Sequence, residues 1–258
     1  KGRPFGFLDH SLRCGDSLLG IHRLDQLIEL SMTPERKGER SGHLFGQEIK
    51  KAVLEAIELR QSLREMPIRD IHDVETMARL DADARHLIDV PKRIADAFIG
   101  LIFATGGNRT SLDGALSSLA IQAGQAIDGQ LDSLATINDR AATTLVVELP
   151  SGKAFRRPFH WPLEFPEVFQ REGCGFDALV GNPPFVTGKR ISTYLGETLQ
   201  AFIKNTFEDS KGAADLCVYF MRRGFSLARV GGLVGMIATK SIAEGDSRTV
   251  GTAWLRTK

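Results

Sequence analysis

The sequence has no run of about 18 apolar residues, the length a helix needs to cross a bilayer; its longest candidate, Ala97 to Ala104 (AFIGLIFA), falls well short. A membrane span is therefore not expected. Cysteine is scarce. Cys14, Cys174 and Cys217 are odd in number and widely spaced, with no C-x-x-C pair and no histidine beside them at ligand spacing, which argues against a disulfide framework and a zinc site. The expectation is a reducing, cytoplasmic setting, and no apolar signal segment precedes Phe5. An excess of one charge is also missing. The 33 Lys and Arg stand against 32 Asp and Glu, a formal charge of +1, so a highly basic arm is not the main source of any affinity for nucleic acid. A local basic groove stays compatible with that balance. What is present is ordinary: 258 residues, 42% hydrophobic and 25% charged, enough for one or two globular domains with a sizeable core. The chain opens on Lys1 and stops at Lys258 shortly after an apolar run, and it reads as a piece of something longer.

Ser11 to Asp16 has the look of a short strand ending in a Gly-Asp turn, and Leu18, Ile21, Leu24, Leu27 and Ile28 then follow helical spacing through Ser17 to Leu30. Ser31 to Gly46 is polar, with Pro34, Gly38 and Gly42, and reads as a surface loop. Three apolar stripes of helical period come next: Phe45 to Met66, Ile71 to Ile88 ahead of Pro91, and Leu112 to Leu134 after the Gly106-Gly107-Asn108 break. They call for a helical bundle. At Thr143 the pattern turns to β, through Leu145-Val146-Val147-Glu148-Leu149, followed by an aromatic and proline-rich passage, Pro158 to Phe169. Phe176 to Val180 reads as a buried strand stopped by Pro183 and Pro184. Helical period returns over Ile191 to Phe207 and Ala213 to Arg229, and Gly231-Gly232 introduces a further strand, Leu233 to Ala238. The expected class is α/β, an open, largely parallel sheet with a helical insertion.

The sharpest feature is Asn182-Pro183-Pro184-Phe185 directly after a hydrophobic strand, since open α/β sheets bind ligands outside the carboxyl ends of their strands. Two prolines remove two backbone donors and stiffen the turn, leaving the Pro183 carbonyl and the Asn182 amide side chain as fixed acceptors. Phe185 adds a flat stacking face. Two acceptors and a ring suit a planar base with an exocyclic amine, such as adenine lifted from its duplex. With both amine hydrogens held, the nitrogen lone pair is drawn out of conjugation toward a methyl donor, and no general base is required. The plainer alternative is a rigid strand-end turn with its aromatic in the core. Glu48-Ile49-Lys50 has the form of a nuclease Glu-x-Lys pair but lies in a helical pattern and reads as solvated surface. His10, His22, His43, His72 and His86 share no ligand spacing. Lys189, Arg190, Arg222, Arg223 and Arg229 fit phosphate contacts and helix-face solvation equally well.

Phe176 to Phe185 (FDALVGNPPF) resembles motif IV of the adenine-N6 DNA methyltransferases. His160 to Phe169 resembles the stretch before that motif in the large type IIG restriction-modification methylases and their phage-defence relatives, and Leu12 to Gly20 is similar to the segment around their motif III. The resemblance covers about Phe5 to Gly20 and Phe159 onward. It implies a Rossmann-like methyltransferase sheet interrupted by a large helical insertion, with residues 1–30 and 143–258 as the methyltransferase segments and 31–142 as the insertion. Carried over by position, it makes Asn182 and Pro183 the acceptors for the adenine amine, Phe185 the stacking ring with Pro184 beside it, and Asp16 and Ser17 a grip on the cofactor, S-adenosylmethionine. Asp16 fits a helix cap as well. Double-stranded DNA is the implied partner. The His160 to Phe169 block fits a wall near the cofactor or a packed loop, and carries no assigned catalytic role.

One part of the family's pattern has no counterpart, the glycine-rich motif I that holds the methionine part of the cofactor; the resemblance puts it upstream of Lys1, and the target-recognition region beyond Lys258. The 258 residues alone are therefore expected to bind S-adenosylmethionine weakly and to show no turnover. Two other readings stay open: a methyltransferase acting on protein glutamine or RNA guanine, and a catalytically silent DNA-binding or scaffold segment.

Overall fold

The computed structural model describes residues 11–34, 45–107, 112–149 and 156–258. Expectations on His10, His43 and most of the Ser31 to Gly46 loop fall outside them.

The first helical stripe is α2, Phe45–Glu65, which follows the short α1, Leu24–Ile28. Phe45, Ile49, Val53, Ala56 and Leu63 bury one face, while Glu48 and Lys50 stay exposed, as expected for a solvated Glu-x-Lys. α3, Ile71–Leu87, starts at Asp70, whose carboxylate accepts from the His72 and Asp73 amides, while Asp73 accepts from the Asp70 and Arg69 amides. That reciprocal cap satisfies amides a helix start leaves free. Pro91, read from sequence as a stop, instead sits in the first turn of α4, Asp89–Ala104, where a missing N–H costs nothing.

The AFIGLIFA run is the C-terminal half of α4 and is buried on almost every side, with Phe98 and Phe103 fully enclosed. Its end is fixed by Gly106 and Gly107, both at positive φ. The Gly106 and Gly107 amides donate back to the Phe103 and Ile102 carbonyls, a glycine C-cap. α5, Asp113–Ile127, and α6, Leu131–Thr144, complete the bundle, with α6 lying on α4 and α5. A Cβ on Gly100 would overlap the Thr144 hydroxyl, so this glycine sets how closely α4 and α6 approach.

Three local expectations fail. Leu145 to Leu149 forms turns rather than a strand: α6 runs to Thr144, Leu145 donates to the Ala141 carbonyl, and its side chain is wholly buried in the core shared with α4. Burial of Leu145 overrides the β preference of the two valines. Ser11 to Asp16 contributes one parallel bridge, Asp16 with Pro158, and no strand. From Ser17 to Leu30 only Leu24–Ile28 is helical. Leu18, Leu19 and Ile21 bury through irregular turns, because this stretch runs beside residues 157–161: the Phe159 amide donates to the Asp16 and Leu19 carbonyls and the Trp161 amide to that of Ile21.

Short helices α7, Trp161–Glu164, and α8, Pro166–Phe169, precede β1, Phe176–Gly181. After it come α9, Ile191–Leu195, α10, Glu197–Thr206, and α11, Leu216–Leu227, which feeds straight into β2, Ala228–Met236. β1 and β2 pair in parallel, with Ala178 opposite Leu233 and Gly181 opposite Met236. Phe176 faces Ala228, so β2 accommodates extra residues at Gly231 and Gly232 before the register resumes; these glycines lie inside the strand rather than ahead of it. Among the described residues the sheet has these two strands, so β1, read from the sequence as a buried strand, instead has a partner on one edge only and no fully buried residue. α11 covers the Val234 and Met236 face through Gly224. The opposite face carries Val180 and Leu233, 90% and 72% exposed. The main core reaches from Leu18 through the bundle to Val250, and Ala56, Ala84 and Ile88 form a small second cluster.

Candidate active site

The turn after β1 is anchored from behind. The Leu216 amide donates to the Val186 carbonyl (2.9 Å) and the Gly188 amide to Asp215 Oδ1 (2.9 Å). The buried Asp215 also accepts from Ser241 Oγ at 2.6 Å, and its own amide donates to Ser247 Oγ. Gly188 lies so close to the Ala213 carbonyl that no side chain fits there. These contacts hold Asn182 to Phe185 in place without using the turn's own acceptors. Among the described residues no donor reaches the Asn182 side chain or the Pro183 carbonyl, although Asn182 is exposed and Pro183 buried.

Asn182, Pro183 and Pro184 wall a cleft of about 440 Å³ running along β1, with Ser17, Trp161 and Phe165 opposite. That size is typical of a small-molecule site. Ser17 is tied in by its carbonyl, which accepts from the Trp161 indole at 3.2 Å. Trp161, Phe165 and Phe176 meet edge-on or tilted around Phe159, giving the cleft a rigid aromatic side. Phe185 is 56% exposed and stands outside the cleft walls. Asp16 lies behind Ser17, with Oδ1 accepting from the Leu18 and Leu19 amides at 3.0 and 3.3 Å. Burial pushes its carboxyl above the usual range, against the pull of those amides and of Arg156 and Arg223.

The basic residues divide. Lys189 and Arg190 are exposed. Arg229 pairs with Asp177, which also accepts from Arg171; the two guanidinium groups lower the Asp177 carboxyl to about 2. Helix-face solvation fails for Arg222 and Arg223, which are both buried. Arg222 donates to the Val250 and Glu208 carbonyls and lies 3.8 Å over the Trp254 ring. Arg223 faces the cleft. Sequence reasoning overlooked Asp215 and gave Trp161 no role. An aspartate directly before an apolar helical period is a signal for the first, though it reads more simply as a cap; nothing in the local sequence separates Trp161 from a packed loop.

A larger hollow, about 540 Å³, lies between α1, α2 and Phe169 to Cys174 and shares Leu227 with the cleft. Its polar wall is Arg23, Asp25, Glu29 and Lys50, and none of the turn's acceptors reaches it. The turn's free acceptors border the smaller cleft alone of these two.

No curated protein and no solved structure matches the chain. Residues 110–253 match the family described as Eco57I restriction-modification methylase, a span from the start of α5 to beyond β2 that takes in the whole Asn182 to Phe185 turn. Since that match covers more than half of the sequence, the chain belongs to the Eco57I restriction-modification methylase family.

Proposed function

We propose that the chain carries the acceptor side of a DNA adenine-N6 methyltransferase, acting on an adenine lifted from double-stranded DNA within a restriction-modification or related defence system. The observation that carries this reading is the pair of unengaged acceptors, Asn182 and the Pro183 carbonyl, on a rigid turn beside a cleft that also includes Ser17. Asn182 Oδ1 and the Pro183 carbonyl take the two amine hydrogens, which localises the lone pair on the nitrogen. Phe185, exposed outside the cleft walls, stacks on the base, and Pro184 limits how the ring sits. Asp16 and Ser17 lie on the cofactor side, where the aromatic wall suits a flat heterocycle. S-adenosylmethionine, when bound, supplies an electrophilic methyl group on its sulfonium. The adenine nitrogen gains the carbon as the carbon–sulfur bond breaks, and the surplus proton leaves past the Asn182 and Pro183 oxygens to water. In this reading β1 and β2 belong to a Rossmann-like sheet, with residues 31–142 inserted between the methyltransferase segments 1–30 and 143–258.

The test offers labelled S-adenosylmethionine to the intact protein with DNA, RNA and protein as competing acceptors. Label in DNA, recovered on adenine, is expected. Label on protein glutamine or RNA guanine, with DNA blank, overturns the reading.

A further inference from the structure

Arg223 sits in the middle of α11, is 5% exposed, and faces the cleft near Ser17 and Trp161. Among the described residues no carboxylate or carbonyl accepts from its guanidinium, and its Nε is buried without a partner. Its neighbours are the Phe207 ring, 5.1 Å from the guanidinium carbon, and Asp16, close enough to act on it electrostatically but making no ion pair. Burial lowers its pKa to about 10, which leaves it charged at neutral pH. His22, whose own pKa is held well below the usual histidine value by burial and by Arg223 and Arg23, adds no second positive charge beside it. A cation taken out of water this far is costly unless an anion meets it. Arg222, one residue earlier, also has a buried Nε without a partner, but its two terminal nitrogens donate to the Val250 and Glu208 carbonyls, whereas among the described residues no acceptor meets the terminal nitrogens of Arg223.

We infer that Arg223 is an oxyanion subsite of this cleft, donating a charge-assisted hydrogen bond to a carboxylate or phosphate group of a molecule bound there. The planar fork of Arg suits both groups. Two sources fit: the amino-acid carboxylate of the methyl donor and a phosphodiester of the nucleic acid. The choice of source rests on the methyl-transfer reading; the anion site does not.

The first arm uses the 258-residue chain and inorganic sulfate, with chloride at equal ionic strength as control. Sulfate is expected to raise the melting temperature above the chloride curve, by ligand linkage, and Arg223→Met, which keeps the stem and removes the charge, is expected to abolish the difference. A wild-type chain that melts identically in sulfate and chloride overturns the inference without any variant, as does an equal sulfate shift in Arg223→Met. Arg223→Lys, which keeps a charge, serves if the methionine variant does not fold, and should retain part of the shift. The second arm uses the intact protein and compares S-adenosylhomocysteine with 5′-methylthioadenosine, which lacks the carboxylate. About tenfold tighter binding of the former, lost in Arg223→Met, assigns the donor carboxylate. Equal nucleoside binding with a weakened oligonucleotide assigns the phosphodiester, and neither change overturns the subsite. Because sulfate involves no methyl donor, failure of the methyl-transfer reading leaves the outcome of the sulfate experiment intact.

Discussion

Two regions of this molecule treat buried polar groups in opposite ways. Where the bundle meets α7 and α8, carboxylates and cations close on one another: Glu164 pairs with Arg13 at 3.2 Å and Lys92 at 2.5 Å, Asp81 with Arg85 at 2.7 Å, and Glu167 with Arg60 and Arg64. His160, fully buried, joins in by bridging Asp96 of α4 to the Ile21 amide. Its Nδ1 accepts from that amide, so Nε2 carries the proton toward Asp96. Two nitrogens of Arg60 are left over even there, but along the cleft the whole guanidinium of the buried Arg223 lacks an acceptor among the described residues, and the Pro183 carbonyl and the exposed Asn182 side chain lack a donor. Buried polar groups in a folded protein are usually satisfied, so the ion-paired seam reads as architecture and the cleft as a place kept ready for something else.

The largest expected effect falls on the cleft. Asn182→Ala should lower methyl transfer by the intact protein by about a hundredfold or more, the scale for losing one fixed polar group that acts on a reacting centre. It should leave the melting temperature nearly unchanged, since that side chain is exposed and holds nothing. An equal loss of stability and activity would erase the distinction between the regions.

The seam should show the reverse. Glu164→Ala removes the partner of Lys92 and leaves Arg13 with Asp81 at 3.5 Å, and breaking a buried pair by removing one partner costs up to about 3–5 kcal/mol. Urea titration should show that loss. A change under about 1 kcal/mol would mean the pairs behave as surface ones.

Phe185→Ala sharpens the comparison at the turn beside the cleft. The ring is more than half exposed, so stability should hold, while base capture weakens by about 1–3 kcal/mol, read as a rise in the KM for DNA; Phe185→Trp should be tolerated.

The smallest effects concern two aspartates of opposite sign. Asp177, lowered to about 2 by Arg229 and Arg171, stabilises the fold above its unfolded pKa, and that contribution is lost as pH falls toward about 2. Its full exposure keeps the effect small. Asp16 is raised by burial, so the folded state holds its proton longer than the unfolded chain does, and stability drops as pH rises through its folded pKa. Melting curves across pH should therefore show Asp177→Asn flattening the acid limb and Asp16→Asn, which keeps an acceptor for Leu18 and Leu19, removing the fall at higher pH.

Much of this was legible in the sequence because it is local. The stripes of α2, α3 and α5 repeat every three or four residues, although the stripe read as continuous from Leu112 to Leu134 breaks at Asp128 to Gln130 and its end opens α6; the Asn182 to Phe185 turn announces itself by two prolines after an apolar strand. The failures share a different cause. Leu145 and the irregular Leu18 to Ile21 stretch take their conformation from partners distant in sequence, α4 and residues 157–161 respectively, which no short window contains. Arg223 was legible as a cation but not as a buried one. In a helical pattern a pair of arginines between Met221 and Gly224 looks like a solvated face, and only the packing of α11 against β2 and the cleft reveals otherwise.

That the cleft holds its acceptors ready for an adenine amine is tested most directly by the identity of the methylated base in DNA treated by the intact protein, read by mass spectrometry for wild type and Asn182→Ala side by side. N6-methyladenine is expected from the wild type, with near-complete loss in the variant and folding preserved. Methylation on cytosine, or N6-methyladenine made equally well by Asn182→Ala, would contradict that assignment.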